Sequence, residues 1–238
     1  MEHFRGFSKK TFAFLAGIEK NNNKDWFDAS RDIYDQEIVA PAKAFVTDIG
    51  EFFRLLSPGI RTAPKFNETL MRMNNDMRFS KGNPYRPYFL IHFGRFKLDS
   101  EFYIFLDKKG IDIGLFLNKS KGEEFYFRQN METKREFMTE IFDRCGISGK
   151  FSLMKLDKMP EMMHQKFIPR KHYDDLLKLK FALIEKHYPL TSRITTSASL
   201  VTEAIKIFSR LYPVYCFSVS DKPEKLISDF ENKLGIPE

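Results

Sequence analysis

Three short runs in the middle of the chain constrain the fold most. They are YFLIHFGRF (88–96), EFYIFLDKKG (101–110) and IDIGLFL (111–117). Each is rich in aromatic and β-branched residues, too short for a buried helix, and bounded by turn-forming residues. Asp107-Lys108-Lys109-Gly110 is a turn signal between the last two, so the spacing predicts an antiparallel meander. Such a sheet must bury at least one face, and the flanking sequence has to supply the cover.

That cover reads as helical on both sides. Ser8 can cap a helix over 8–20, with Phe12, Leu15, Ala16 and Glu19 at helical spacing. Asn21-Asn22-Asn23 ends it and can cap a second helix from Lys24 to about Val39. Pro41 suits the first turn of a third, which runs to about Leu56 and stops at Ser57-Pro58-Gly59. Further on, the pattern predicts a helix at 131–144, a strand near 151–156, a short helix at 173–179 and a strand at 181–188. Helices at 200–211 and 223–234 close the chain. The expectation is an α+β fold: an antiparallel sheet of about five strands flanked by N-terminal and C-terminal helices. No repeat, low-complexity run or Gly/Ser linker interrupts it, which favours a single domain over 1–238. The 26 phenylalanines require a sizeable core, which excludes a disordered chain.

Charge is distributed unevenly. Between Arg54 and Lys97 nine basic residues face only Glu68 and Asp76, so the whole net excess of +7 falls in that segment while the rest balances. Such a field favours anionic partners. Its centre is MRMNNDMRFSKGNPYRPYF (71–89). Read as a strand, 71–79 would turn Met71, Met73, Met77 and Phe79 to one face, with Asn75 as the exception, and Arg72, Asn74, Asp76 and Arg78 to the other. Asp76 would hold the forks of Arg72 and Arg78, making a planar site for carboxylate or phosphate. Lys81, Tyr85 and Arg86 follow on a turn built from Gly82-Asn83-Pro84.

Three readings stay open. The first is a site for an anionic small molecule, enzymatic or not. In it Arg72, Arg78 and Lys81 bind the ligand, with Arg86 and Arg170 as outer ligand-binding candidates. Asp76 and Tyr85 are its catalytic candidates, Asp76 as a base if burial raised its pKa. The second is a non-enzymatic module binding nucleic acid or a protein partner through the basic 54–97 surface, with Tyr85, Tyr88, Phe89 and Phe93 stacking bases. The third is a structural ion-pair row.

Other chemistry is thinly represented. There is no GxxxxGK[ST], GxGxxG, HExxH, GxSxG or paired CxxC. No two of the five histidines stand three or four residues apart, so neither a metal nor another cofactor is expected. His92 reads as an ordinary half-buried strand residue, and Glu123-Glu124 and Asp174-Asp175 as solvated faces. Cys145 and Cys216 read as buried thiols in a reducing compartment. The N-terminal stretch is too short and too polar for a signal peptide or membrane span, so the expected location is cytoplasmic, with no membrane partner.

Several of these stretches resemble one family. FRGFS (4–8), FLAGIEKNNNKDWF (14–27), FIPRKHYDDLLKLK (167–180) and RLYPV (210–214) are similar to blocks of the uncharacterised family catalogued as domain of unknown function 2461, over nearly the whole chain. Arg31, Tyr34 and Pro41 fall where its pattern has an arginine, a tyrosine and a helix-restarting proline. The family's signature RxxRDxRF is matched by Arg72, Asp76, Arg78 and Phe79, and Ser80, Lys81, Pro84 and Tyr85 fit its continuation. Asn75 replaces the second signature arginine, and the turn at Gly82-Asn83 is shorter and lacks the signature lysine. The resemblance implies the fold and the location of a site, and carries no activity.

Overall fold

A computed structural model describes residues 3–76, 78, 82–120, 122, 124–157 and 159–234. Helices lie on both sides in sequence of one antiparallel sheet. The sheet has six strands: β1 (Phe89–Phe93), β2 (Glu101–Asp107), β3 (Gly110–Asn118), β4 (Ser152–Leu156), β5 (Pro160–His164) and β6 (Phe181–Pro189), in the order β1-β2-β3-β6-β4-β5. The central meander and β4 and β6 follow the expectation. β5 was not expected: PEMMH is short, exposed at its start and without alternation. Its partner specifies it, through Met154 opposite Met162, Lys155 opposite Glu161 and Leu156 opposite Pro160. At the β2–β3 turn, a Cβ on Gly110 (φ +150°) would collide with the Tyr188 carbonyl, so the residue must be glycine.

The chain divides into two compact units, neither of them a continuous stretch. The first comprises Met1–Phe93, Tyr103–Ile113 and His187–Ile205. It opens with α1 (Lys9–Lys20), capped as expected by Ser8, whose hydroxyl accepts from the Lys10 and Thr11 N–H groups. Asn23 caps α2 (Lys24–Ala29), accepting from Trp26 N–H at 2.9 Å. Gly17 of α1 lets the Trp26 ring approach to where a Cβ would stand 2.5 Å away.

The helix expected over 24–39 is interrupted. It ends at Ser30, resumes as α3 (Arg31–Tyr34), then widens into a π-turn at Asp35–Val39 that runs straight into α4 (Ala40–Leu56). Tertiary hydrogen bonds stabilise the wide turn: Thr11 Oγ1 donates to the Glu37 carbonyl and Ser8 Oγ to the Glu37 carboxylate, each at 2.6 Å. The aromatic core of this unit includes Phe4 against Phe45 and Phe53 stacked on Phe93 with centroids 4.3 Å apart.

The second unit comprises Gly94–Phe102, Gly114–Lys186 and Lys206–Glu238. It contains α5 (Phe127–Thr133), α6 (Arg135–Arg144), α7 (Pro169–Lys178), most of α8 (Ser199–Val219) and α9 (Pro223–Leu234). The helix expected at 200–211 extends through Pro213. Its aromatic core joins Phe102 to Phe208 and Tyr215, and Phe142 to Phe167. Cys145 and Cys216 are both free thiols here, and burial pushes the Cys145 thiol up to about 11. No helix among the described residues is long and apolar enough to cross a membrane.

Candidate functional site

Over its described residues the basic stretch pairs irregularly, 73–75 against 84–86, instead of forming the expected strand. Asn74 bridges Tyr85, Asn75 N–H donates to the Pro84 carbonyl at 2.8 Å, and Arg86 N–H donates to the Met73 carbonyl at 2.7 Å. Pro84 has no N–H to return, so the ladder cannot lengthen. Burial nonetheless alternates as a strand's would. Met73 is buried and Met71 half-buried, while Arg72, Asn74, Asp76 and Arg78 are exposed. Asn75, the exception in the pattern, closes the turn: its side-chain amide donates to the Asn83 carbonyl at 2.8 Å. Met77, Phe79, Ser80 and Lys81, including the proposed ligand-binding lysine, lie outside the described residues.

The hairpin is pinned to the N-terminal helices by a residue that sequence reasoning used only as a helix stop. Asn22 Nδ2 donates to the Tyr85 carbonyl at 2.8 Å and Asn22 Oδ1 accepts from Tyr85 N–H at 3.0 Å, as a second peptide group would. No local pattern marks an asparagine for this role. Tyr85 itself is buried and stacks on Phe27, with centroids 4.1 Å apart and planes 7° from parallel. Burial, then the Asp28 charge, raises its phenol pKa against the opposing charge of Arg31.

Asp76 and Arg78 pair with each other. Arg78 Nε and Nη2 donate to the two carboxylate oxygens at 3.0 and 2.7 Å, and its N–H to Oδ1 at 3.1 Å. The pair is open to solvent, with the Arg78 side chain 80% exposed. The hydrogen bonds from Arg78 hold the Asp76 carboxyl below the usual carboxylate range. That is the direction of a fixed anion, opposite to the rise that a base near neutral pH would need.

Arg72 and Arg86 are held differently. The Arg72 guanidinium lies over the Phe66 ring, 5.2 Å from its centroid. Arg86 Nη1 donates to the carbonyls of Arg72, at 2.8 Å, and of Asn74. Neither makes an ion pair among the described residues. Arg170 belongs to the second unit, where α7 carries it and its Nε donates to Asp143 at 2.9 Å.

Tyr34, at the end of α3, is 7% exposed, its ring packed on Phe14, Phe27 and Phe89. Burial, with Asp35, pushes its phenol up to about 12, and the positive charges of Arg72 and Arg31 act against that rise. Arg31 lies over the Phe27 ring at 5.3 Å and donates to Asp28 at 3.0 Å.

The remaining titratable groups have other settings. His92 is half-buried, its backbone N–H on the Thr69 carbonyl. Asp174 and Asp175 diverge to Arg135 and His164, and Glu124 turns to Arg95. Among the described residues no three of His, Cys, Asp and Glu are grouped to hold a metal ion.

The chain matches the family described as Conserved hypothetical protein (DUF2461) over residues 10–217, which takes in Arg31, Tyr34, Arg72, Asp76, Arg78, Tyr85, Arg86 and Arg170. It belongs to the DUF2461 family. No curated protein matches this DUF2461 chain.

Proposed function

We propose that this DUF2461 protein binds a small anion, a phosphate or carboxylate group, at Arg72 and Arg86, with the Asp76–Arg78 pair at the rim. The observation that carries it is the setting of Arg72 and Arg86: both are oriented by neutral groups, an aromatic face and backbone carbonyls, and neither has a carboxylate among the described residues. A guanidinium so oriented keeps N–H donors and its full charge for an incoming oxyanion.

The aromatic residues bear on the nucleic-acid alternative. Tyr85, Phe89 and Phe93 are buried and serve the core, which leaves only Tyr88, half-buried against Phe105 at 4.9 Å, of the four as a stacking surface.

The test is thermal unfolding of wild type and Arg72→Ala with phosphate, pyrophosphate, nucleotides, dicarboxylates and a short single-stranded oligonucleotide, at two salt concentrations. A ligand at about a hundred times its Kd adds about 2.7 kcal/mol of stability. The expected result is a salt-tolerant stabilisation by a small anion that Arg72→Ala abolishes. Equal stabilisation of both proteins overturns the assignment. Stabilisation by the oligonucleotide alone, collapsing with salt, transfers the site to the polyanion reading.

A further inference from the structure

We propose that Asp112 and His187 form a reactive dyad, in which His187 Nε2 takes a proton from water as that water attacks an uncharged ester. The proposal does not rest on the anion site above.

Strand register builds the dyad. β2 and β3 are joined by the two-residue turn Lys108-Lys109, whose Lys109 N–H, with the Gly110 N–H, donates to Asp107 Oδ1 at 2.7 and 3.2 Å. A turn of that length places Asp107 opposite Gly110 and so Phe105 opposite Asp112. On the other side of β3, Leu190 N–H donates to the Lys109 carbonyl at 3.3 Å. His187, three residues back and on β6, then falls opposite Asp112. Phe105, Asp112 and His187 stand in one row across three neighbouring strands, on one face.

His187 Nδ1 and Asp112 Oδ1 are 2.6 Å apart. The Asp112 side chain is 19% exposed and the His187 side chain 47%. A carboxylate on Nδ1 fixes the proton there and leaves the Nε2 lone pair for chemistry. Nε2 makes no hydrogen bond among the described residues. Burial raises the Asp112 pKa and the His187 bond opposes that rise, with Asp107 adding to it and Lys109 acting against it.

Two other histidines meet carboxylates, and neither is set in this way. His3 lies 3.0 Å from Asp48 but is 91% exposed. His164 puts Nε2 on Asp175 and lies flat on His172, with centroids 3.7 Å apart. Of the three, His187 alone shares two paired strands with its carboxylate, which holds the ring in one orientation.

The surroundings give the substrate class. Phe105 is half-buried at the end of the row, and the Tyr88 ring packs on it at 4.9 Å, so the surface beside the dyad is aromatic. Asp112 and Asp107 disfavour an anion there. An uncharged, apolar acyl group suits that surface. The step balances. A water proton passes to Nε2, the water oxygen bonds to the carbonyl carbon, the ester C–O bond breaks, and the proton leaves Nε2 with the departing alcohol. Asp112 is the positioning residue, and its charge stabilises the imidazolium formed in between.

The experiment is hydrolysis of p-nitrophenyl acetate by the full chain at pH 7.5, for wild type, His187→Gln, Asp112→Asn and His164→Gln. Wild type should exceed the uncatalysed rate, and His187→Gln should lower kcat/KM about a hundredfold, as loss of a general base does. Asp112→Asn keeps an acceptor for the ring and removes the charge, so kcat should fall roughly tenfold with KM unchanged. His164→Gln should match wild type. The methyl ester of para-acetoxybenzoate should be hydrolysed at least tenfold faster than the para-acetoxybenzoate anion. Wild-type rates in His187→Gln, or an equal loss in His164→Gln, overturn the dyad. A lower melting temperature in Asp112→Asn with kcat unchanged makes the pair structural. Equal hydrolysis of the anion overturns the substrate class. Wild type alone gives a second readout. Ethoxycarbonylation by diethyl pyrocarbonate, mapped by mass spectrometry, should be faster at His187 than at the more exposed His3, and the reverse order overturns the reactivity assigned to Nε2.

Discussion

Arg95 and Arg72 come from the same basic run, and their settings differ. Arg95, 20% exposed, grips Asp99, 1% exposed, with Nε at 2.8 Å and Nη2 at 3.1 Å, and reaches Glu124 at 3.4 Å. Arg72 rests on a phenyl ring and meets no carboxylate among the described residues. Elsewhere in the second unit one cation is engaged by backbone carbonyls and another by a carboxylate. Lys119 donates to the Leu176 and Leu177 carbonyls at the end of α7, with burial lowering its amine to about 8, and Arg170 is held by Asp143. The sequence charge of +7 therefore overstates how many of these cations meet a ligand uncompensated. The two arginines differ in their anchor, a buried carboxylate for Arg95 and an aromatic ring for Arg72.

Breaking the closed pair should have the largest effect. Asp99→Ala removes the buried partner of the Arg95 guanidinium, leaving only the exposed Glu124, and should cost about 3 kcal/mol in urea unfolding. Anion binding at Arg72 should persist in the folded fraction. If Asp99→Ala is as stable as wild type, the distinction between the two arginines loses its basis.

Next is the clamp on the open side. Asn22→Ala removes both bonds to the Tyr85 backbone and should cost about 2 kcal/mol. It should also weaken anion binding, because Arg86 adjoins that backbone. Stability lost with binding unchanged would separate the hairpin from the site.

A pH titration sharpens the contrast within the second unit. His164 and His172 stack with ring centroids 3.7 Å apart and planes 2° from parallel. His172 Nδ1 accepts the Ile168 N–H at 3.0 Å, which requires a neutral ring, and His164 Nε2 lies 2.9 Å from Asp175. Burial, then His164, lowers the His172 pKa, with Lys171 adding to the fall and Asp175 opposing it. Its contribution is thus present above the ordinary histidine value, about 6.5, and is lost as pH falls from there through the lowered folded value. The Asp175 carboxyl, held low chiefly by His164 and also by Lys178, adds its own loss only at more acid pH. The melting temperature of wild type should dip below about pH 6.5, and His172→Gln should flatten that dip. An identical profile in the variant would show that His172 does not carry it.

Arg78→Ala should have the smallest effect. Its pair with Asp76 is solvent-exposed, so the melting temperature should not move measurably. A clear drop would favour the structural ion-pair row over a binding rim.

Much of the architecture was legible in sequence because local signals coincide with tertiary demand. Ser8 and Asn23 cap where their side chains predict, and Ser57-Pro58-Gly59 ends α4. The alternation of 71–76 survives in burial even though no strand forms, because burial follows side-chain period and the ladder follows available N–H groups. The break at Ser30, the π-turn and β5 were not legible. The π-turn depends on partners distant in sequence, Thr11 and Ser8, while β5 carries no alternation of its own and is specified by pairing with the neighbouring β4.

The candidate site divides along the same line. Composition and spacing alone located the charge excess, named Arg72, Asp76, Arg78, Tyr85 and Arg86, and suggested an oxyanion partner. Tertiary structure decided which of these cations are compensated. It turned Asp76 toward Arg78, set Arg72 on Phe66 and buried Tyr85 against Phe27. The reason is physical. Charge and periodicity are properties of a segment, whereas pairing and burial depend on what the rest of the chain places within a few ångströms.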